Sequence, residues 1–420
     1  MTLENKSTDI AKDIVVNALR FVLALVFAFS GFVKAIDPMG TVYKLSEYAD
    51  AFGLPTFPAL LLLMAWGLIV IEYVMGVALF FGLYRRFYLG MMIAFLAVMT
   101  PLSLWLVLAD PISDCGCFGD AVSLSHGQTL GKNVVLLVMA VVVLKHHKRM
   151  WRIISSRKQW LVFAYALLSI VLFMQYSLRH LPAWDFRPYA IGKNIVEGMI
   201  IPGDAPEDEY ETLFVLEKDG KQRSFSFDDY PDSTWNFVRR ESRLVSKGYV
   251  PPITDFSLFA LDGEDVTWEV LEQPGYTFLL VARDLKRANE GMLDVINDLH
   301  DYAKVEEAPF YMLTSSNLVA IDEWNRHTGA TYPCLNADET LLKTVVRTNL
   351  GLIVLKDAIV VGKWSAADFP SDEQQYIPIE YNEALAITPH EVTSRHISII
   401  LWMFLPLLLL CLVDKIWGNE

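Results

Sequence analysis

Asp114-Cys115-Gly116-Cys117-Phe118-Gly119-Asp120 separates two apolar segments, residues 88–109 and 130–144, and places two of the chain's four cysteines one glycine apart. The first segment has the length of a helix that crosses a bilayer, and the second reaches that length when Thr129 and its neighbours extend it. The sequence therefore predicts a short loop at a membrane surface between two spans.

Apolar blocks of similar length recur on both sides of this loop, in a chain of 420 residues of which 53% are hydrophobic. Blocks of this kind predict membrane-spanning helices. We expect six of them, at residues 18–36, 57–83, 88–109, 130–144, 160–178 and 397–413. The chain is predicted to be an integral membrane protein.

Lysine and arginine in short loops indicate which side of the membrane each loop faces. The strongest basic cluster lies in residues 145–158, Arg85-Arg86 marks a second loop on the same side, and residues 110–126 contain neither lysine nor arginine. We therefore expect both termini in the cytoplasm and residues 180–394 outside. This exterior segment is strongly acidic, which argues against nucleic acid as a partner and leaves membrane lipid and exterior proteins.

Cys115 and Cys117 are the candidate catalytic residues, because Gly116 permits the tight turn that would bring their sulfurs together. A disulfide across this spacing would be strained and easily reduced, which suits thiol exchange. The alternatives are a permanent disulfide or two tolerated surface thiols. Since the loop itself carries no cation, thiolate stabilisation is expected from backbone N–H groups or the start of the fourth span. Too few ligands lie nearby for a structural metal, so no metal site is expected.

The cysteine pair resembles the Cys-x-Cys-Phe-Gly signature of MauE, a methylamine-utilisation membrane family that shares a four-helix plan with DoxX proteins. Phe29-Ser30-Gly31-Phe32-Val33-Lys34, Asp37-Pro38 and Glu72-Tyr73-Val74-Met75-Gly76 add to the resemblance. It implies a helical bundle over residues 1–150 and disulfide handling outside the cytoplasm. The implied location is a bacterial inner membrane, with the soluble domain in the periplasm. Vitamin K epoxide reductases run comparable chemistry against a quinone from a similar bundle, so a quinone is the cofactor considered. This chain departs from their pattern, since its spacing is Cys-x-Cys and theirs is Cys-x-x-Cys.

Glu72 lies within a predicted span, where an unpaired charge is costly. It should therefore face the bundle interior with Lys34 or Arg20 as its partner. One interpretation is a proton relay or quinone contact, which makes Glu72 a weak cofactor-binding candidate. The other is an ion pair that locks the bundle.

The exterior segment divides into a β-rich part, residues 180–250, and an α/β part, residues 251–394, between a fifth span in residues 151–179 and a sixth in residues 395–420. Asp219-Gly220 predicts a hairpin between strands 213–216 and 223–227. Alternating patterns then predict an α/β sheet. Its expected strands are 277–282, 310–314, 352–355 and 360–364, and its expected helices are 290–303 and 319–327.

This order of elements resembles a thioredoxin-like domain over residues 252–364. Where that family carries Cys-x-x-Cys, this chain has residues 283–289, which contain no cysteine, and Cys334 stands elsewhere without a sequence partner. The exterior domain is therefore expected to have no redox activity by itself.

Two functions remain open. In the first, Cys115 and Cys117 exchange electrons with exterior protein thiols, and the bundle supplies a quinone or another carrier. In the second, the bundle is a non-catalytic anchor or assembly subunit whose thioredoxin-like domain binds exterior partners.

Overall fold

The computed structural model describes residues 3–112, 114–218, 220–227, 229–232, 234–246, 248–288, 290–369 and 389–417. Its helices are, in chain order, α1 (Leu3–Ile36), α2 (Pro38–Ala51), α3 (Pro58–Phe81), α4 (Arg85–Ala109), α5 (His126–Lys145), α6 (Gln159–Arg179), α7 (Ile195–Met199), α8 (Thr267–Leu271), α9 (Leu293–Val305), α10 (Leu318–Thr328), α11 (Glu339–Val345) and α12 (Pro389–Trp417). Its strands are β1 (Glu209–Lys218), β2 (Lys221–Phe225), β3 (Asn236–Ser246), β4 (Tyr276–Val281), β5 (Phe310–Thr314), β6 (Cys334–Asn336), β7 (Gly351–Lys356) and β8 (Ile359–Ser365).

Six of these helices, α1, α3, α4, α5, α6 and α12, are long and apolar enough to cross a membrane within the described part of the chain. Each corresponds to one predicted span, so the expected multi-pass membrane protein is confirmed. The fourth span, which the sequence places at residues 130–144, is the full-length α5 because Ser125 and Gln128 form a capping box at its start.

Helices α1 and α3 pack backbone against backbone because glycines replace side chains at their contact. A Cβ on Gly76 would lie 2.2 Å from the Ala28 nitrogen, and one on Gly31 would lie 2.5 Å from the Tyr73 nitrogen. Small residues allow such close approach in membrane bundles. Both glycines belong to the stretches that carry the sequence resemblance.

Helix α2 is an element that the sequence analysis missed. It lies between the first two spans, and its N-cap is Asp37, whose side chain accepts a hydrogen bond from the Gly40 nitrogen at 3.0 Å, with Pro38 at the first helical position. An aspartate N-cap followed by proline is a recognisable helix start, so the sequence did contain a signal that predicts the start of α2. Helix α2 places further side chains above the cysteines.

Two sheets form the segment between α6 and α12. The first has the order β2-β1-β3, and its β1–β2 hairpin is the predicted one, although Asp219 of the turn lies outside the described residues. The second has the order β6-β5-β4-β7-β8, with β4, β5 and β6 parallel and β7 and β8 antiparallel to their neighbours. The predicted α/β sheet is confirmed, whereas β3, β6 and α11 were not foreseen.

Candidate functional site

The cysteine loop, residues 114–120, brings Cys115 and Cys117 side by side with 2.7 Å between their Sγ atoms, and both are free thiols. Gly116 makes this turn with a φ of +64°, in the left-handed region that favours glycine. A Cβ at this position would also lie 2.7 Å from Cγ of Lys44. The Asp114 carboxylate fixes the turn by accepting a hydrogen bond from the Gly116 nitrogen at 2.7 Å. The predicted approach of the two sulfurs is therefore observed.

Helix α2 lies across the cysteine loop and holds its first half. The Tyr48 hydroxyl donates to the Cys115 carbonyl oxygen at 3.3 Å. Lys44 Nζ lies 3.4 Å from Asp114 Oδ1. Sequence reasoning missed both residues because it did not place a helix here. The hydrogen bond and the ion pair each restrict where Cys115 can move.

A chain of polar groups inside the bundle holds the second half of the cysteine loop. Ser30 Oγ on α1 lies 2.7 Å from the Cys117 carbonyl oxygen and 2.7 Å from Glu72 Oε2, and donates to one of them at a time. Lys34 Nζ lies 2.7 and 2.8 Å from the two Glu72 oxygens, with both side chains buried. The predicted pairing of Glu72 with Lys34 is confirmed.

Arg20, the other candidate partner of Glu72, is held elsewhere. Its guanidinium donates to the carbonyl oxygens of Phe80 and Trp151, both at 2.7 Å. The Phe80 carbonyl lies in the last turn of α3 and the Trp151 carbonyl in the loop after α5, so the bonds tie the end of α3 to this loop. Arg20 is thus a structural residue of the bundle, and Lys34 is the cation that pairs with Glu72.

Cys117 and Cys115 differ in acidity because they occupy different surroundings. A hydrogen bond from the Cys115 thiol, together with the ammonium groups of Lys132 and Lys34, lowers the pKa of Cys117 to about 6 against the effect of burial. The same hydrogen bond, together with burial, raises the pKa of Cys115. Cys117 is therefore the thiolate of the pair at neutral pH, and thiolates are the reactive form of cysteine.

The expected absence of a cation near the cysteines was wrong. The loop itself carries none, but Lys132, on the second turn of α5, contributes to the low pKa of Cys117 and stands 4.5 Å from the Phe118 ring centroid. Lys34 approaches from α1. The sequence could not predict these contacts, because Lys34 and Lys132 approach the loop only when helices from three parts of the chain pack around it.

A cavity of about 240 Å³ opens beside the two cysteines. The polar part of its lining, called the polar end below, includes Cys115, Cys117, Tyr48, Lys132 and the Lys34–Glu72 pair, together with the charged residues Asp37, Lys44, Asp114, Asp120, Asp185 and Arg187. The remaining wall is mostly apolar and includes Val26, Leu68, Phe95, Met99, Leu102 and Leu136. All three residues singled out from the sequence, Cys115, Cys117 and Glu72, therefore line one space. Its shape and chemistry suit a molecule with an apolar body and a polar head.

We expect alkylation of Cys117 in the reduced protein to follow a pH profile with its midpoint near 6. The rate should rise as pH increases through this value, because the thiolate forms above the pKa. Cys115 should react only at much higher pH. Iodoacetamide labelling followed by peptide mass spectrometry measures the two profiles separately, and a Cys117 midpoint near that of an ordinary thiol would contradict the assignment.

Among the residues that the structure describes, no group of three or more histidine, cysteine, aspartate or glutamate side chains is placed to hold a metal ion. Cys334, the cysteine of the five-stranded sheet, is buried on β6, and burial raises its pKa to about 11. At neutral pH it is therefore an unreactive thiol, unlike Cys117.

Comparisons with known proteins agree with the membrane part of this description. Residues 12–146 match the family model described as methylamine utilisation protein MauE, and residues 210–247 match a domain of unknown function, DUF8463. The first match covers α2 to α5 and residues 12–36 of α1, and thus the cysteine loop, Lys34, Glu72 and Lys132. The second covers almost all of the sheet β2-β1-β3. A search of curated proteins found no match. The membrane part of the chain is accordingly similar to MauE proteins, and a separate, sheet-rich soluble part lies between α6 and α12.

Proposed function

We propose that this protein carries out thiol–disulfide exchange at a membrane surface through Cys115 and Cys117. The observation that carries the proposal is that the two sulfurs lie together at the polar end of a cavity whose remaining wall is mostly apolar. Exchange requires an accessible thiolate with a second sulfur in reach. Cys117 and Cys115 suit these two roles because their pKa values are shifted in opposite directions.

In the oxidising direction, a thiolate of an exterior protein attacks the Cys115 sulfur of the oxidised pair, and Cys117 leaves as the thiolate. A second thiolate of that protein then attacks the resulting mixed disulfide and releases Cys115. The exterior protein loses two electrons and two protons, and the loop is left as a dithiol. Cys117 is the better leaving group because the sulfur with the lower pKa leaves faster.

A lipid-soluble quinone is the electron acceptor that the cavity fits best. The aliphatic and aromatic wall would hold the ring and the start of an isoprenoid tail, and Lys34 and Lys132 at the polar end would face its oxygens. A quinone takes up two electrons and two protons, which matches what the loop dithiol releases. The hydroxyl of Ser30 and the Lys34–Glu72 pair line the cavity beside Cys117, where they can hold and pass a proton.

Filling the cavity tests this function. Leu68→Trp places an indole in the cavity wall on α3. Leu63→Trp is the matched control on the same helix, because the Leu63 side chain is 69% exposed and does not line the cavity. With reduced protein and a short-chain quinone, Leu68→Trp should slow oxidation of the loop dithiol about tenfold or more and Leu63→Trp should leave it near the original rate. Equal rates in both variants, or no oxidation by the parent protein, would count against a quinone in this cavity.

The proposed location is a bacterial inner membrane, with the cysteine loop and residues 180–394 in the periplasm. The support is the basic cluster in residues 145–158, opposite the cation-free loop at residues 110–126. A periplasm-active reporter fused after Gly220 is expected to be active, and one fused after Arg149 inactive. The reverse pattern would invert the topology and place the thiols on the reducing side.

A second candidate function is a membrane-anchored binding subunit, favoured by the chemistry of Cys334. Its burial and raised pKa make the exterior sheet a poor thiol reagent, as expected for a thioredoxin-like unit that binds and does not react. In this interpretation the exterior domain binds partner proteins, and the membrane bundle anchors this domain to the membrane.

Cys334→Ala in the full chain is expected to change thiol exchange less than about twofold, because a buried thiol with a high pKa is seldom ionised. The matched variant that lacks Cys115 and Cys117 should have no dithiol reductase activity in an insulin-reduction assay. Activity that persists in this variant and disappears on adding Cys334→Ala would move the reactive centre to the exterior domain.

A further inference from the structure

The exterior domain reaches down to the cysteine loop through Arg347, which lies between α11 and β7. Its Nε is 2.7 Å from Asp37 Oδ2, and its Nη2 is 3.2 Å from Asp120 Oδ2. The arginine side chain is 9% exposed. One guanidinium thus bridges two carboxylates that belong to different parts of the membrane bundle, which suits its planar, forked arrangement of donors.

The two carboxylates occupy positions that control the loop. Asp37 is the N-cap of α2, the helix whose Tyr48 and Lys44 hold the first half of the loop. Asp120 is the last residue of the loop, three positions after Cys117. Arg347 therefore ties the far end of the loop to the start of the helix that already holds its near end.

The aromatic ring of Tyr43 on α2 fixes the orientation of this bridge. The Arg347 guanidinium lies 5.2 Å from the Tyr43 ring centroid, and Lys343 Nζ lies 5.4 Å from it. Arg283, at the end of β4, donates to the Tyr43 hydroxyl at 3.1 Å. Three cations of the exterior domain, one from helix α11 and two from the loops after β4 and α11, thus converge on one tyrosine, and a partly buried cation–π contact favours this arrangement.

We propose that Arg347 is a positioning residue, by which the exterior domain holds the cysteine loop so that Cys117 stays beside Cys115 and Lys132. The proposal rests on the proposed function, since it assigns the exterior domain a part in thiol chemistry at the loop. The domain then contributes to the site without a reactive cysteine of its own. Release of the bridge removes the hold on the loop at Asp120 and leaves the contacts of Ser30, Tyr48 and Lys44, so that the contacts that stabilise the Cys117 thiolate loosen.

The charged and titratable groups that line the cavity with Cys117, or bond to its loop, come from several elements. They are Cys115, Asp114 and Asp120 of the loop, Tyr48 and Lys44 of α2, Asp37 at the N-cap of α2, Lys34 of α1, Glu72 of α3, Lys132 of α5, Asp185 and Arg187 after α6, and Arg347 itself. Of these, Cys115, Lys132 and Lys34 lower the pKa of Cys117. Arg347 and Asp120 carry opposite charges, so their removal has opposite direct electrostatic effects on a nearby thiol.

Because these direct electrostatic effects are opposite in sign, one measurement separates them from the loss of the bridge. The measurement is the pH midpoint of Cys117 alkylation in the reduced, full-length protein. Arg347→Ala is expected to raise the midpoint by about one unit. Asp120→Ala should also raise it, because both variants break the same bridge, although loss of a negative charge alone would lower it. Arg347→Lys should give an intermediate shift, since an ammonium cannot span both carboxylates.

Arg326→Ala is the matched control, because Arg326 is exposed on α10 and bonds to its own helix at the Asp322 carbonyl. Its midpoint should equal that of the parent protein, and thermal melting should verify that each variant is folded. A lowered midpoint in Asp120→Ala, or an unchanged midpoint in folded Arg347→Ala, would overturn the proposal. Alkylation requires neither a client protein nor a quinone, so this result is independent of whether the proposed exchange activity is found.

Discussion

In the reducing direction, where a loop thiolate attacks a disulfide of an exterior protein, Cys115→Ser is expected to accumulate a mixed disulfide between Cys117 and that protein, about tenfold more than Cys117→Ser does. The reason is the unequal acidity of the pair. Cys117, with a pKa of about 6, is a thiolate at neutral pH, whereas the pKa of Cys115 is raised. A serine at position 115 still offers a hydroxyl donor to the Cys117 sulfur, and no loop sulfur remains to release the captured protein.

The measurement is non-reducing electrophoresis of membranes after acid quenching, with mass spectrometry of the released partner. The variant that lacks both cysteines is the control for adducts formed elsewhere in the chain. Equal trapping by the two single variants would remove the distinction between the sulfurs. If neither variant formed an adduct under oxidising conditions, thiol exchange would fail and the anchor function would replace it.

Glu72→Leu is expected to destabilise the bundle by about 3–5 kcal/mol, because it leaves Lys34 as an uncompensated charge in a buried site. The two side chains are only 3% and 6% exposed. Lys34→Met should cost a similar amount. The double variant, which removes both charges and keeps the apolar volume, should be clearly more stable than either single variant. Thermal unfolding in detergent, compared across the four proteins, measures the coupling.

The double variant also separates the two interpretations of Glu72. If the Lys34–Glu72 pair only locks α1 to α3, a stable double variant should exchange thiols and reduce a quinone at the parent rate. If the pair passes protons between Cys117 and the cavity, quinone reduction should fall at least about tenfold while exchange with exterior thiols persists. A double variant as unstable as Glu72→Leu would contradict the ion-pair account.

Much of the membrane part was predictable because its signals are local. Apolar blocks fixed six spans, since every backbone polar group in a bilayer must be satisfied within a helix. Gly116 between two cysteines predicted their approach, and a buried Glu72 predicted a cationic partner on a neighbouring helix. The hairpin β1–β2 followed from its turn dipeptide, and the α/β sheet from alternating patterns.

The elements and site residues that the sequence did not predict share a physical cause. They depend on contacts between distant parts of the chain. Helix α2 is short and weakly apolar, so its periodicity is faint although its Asp37-Pro38 start is visible. Strand β6 has three residues and exists because β5 lies beside it. Lys132 is separated from the cysteines by a turn and a helix start, and only helix packing returns it to them.

The sequence by itself determined the number of spans, the turn at Gly116 and the presence of an acidic soluble segment. It also identified the candidate reactive residues. These features depend on local propensity, segment length and hydropathy, which can be read from the sequence. Tertiary structure alone decided which cysteine is the thiolate, since that depends on Lys132, Lys34 and Cys115 converging in a desolvated site. It alone also joined Arg347 to Asp37 and Asp120, because a guanidinium bridge between residues hundreds of positions apart exists only after both domains have folded and met.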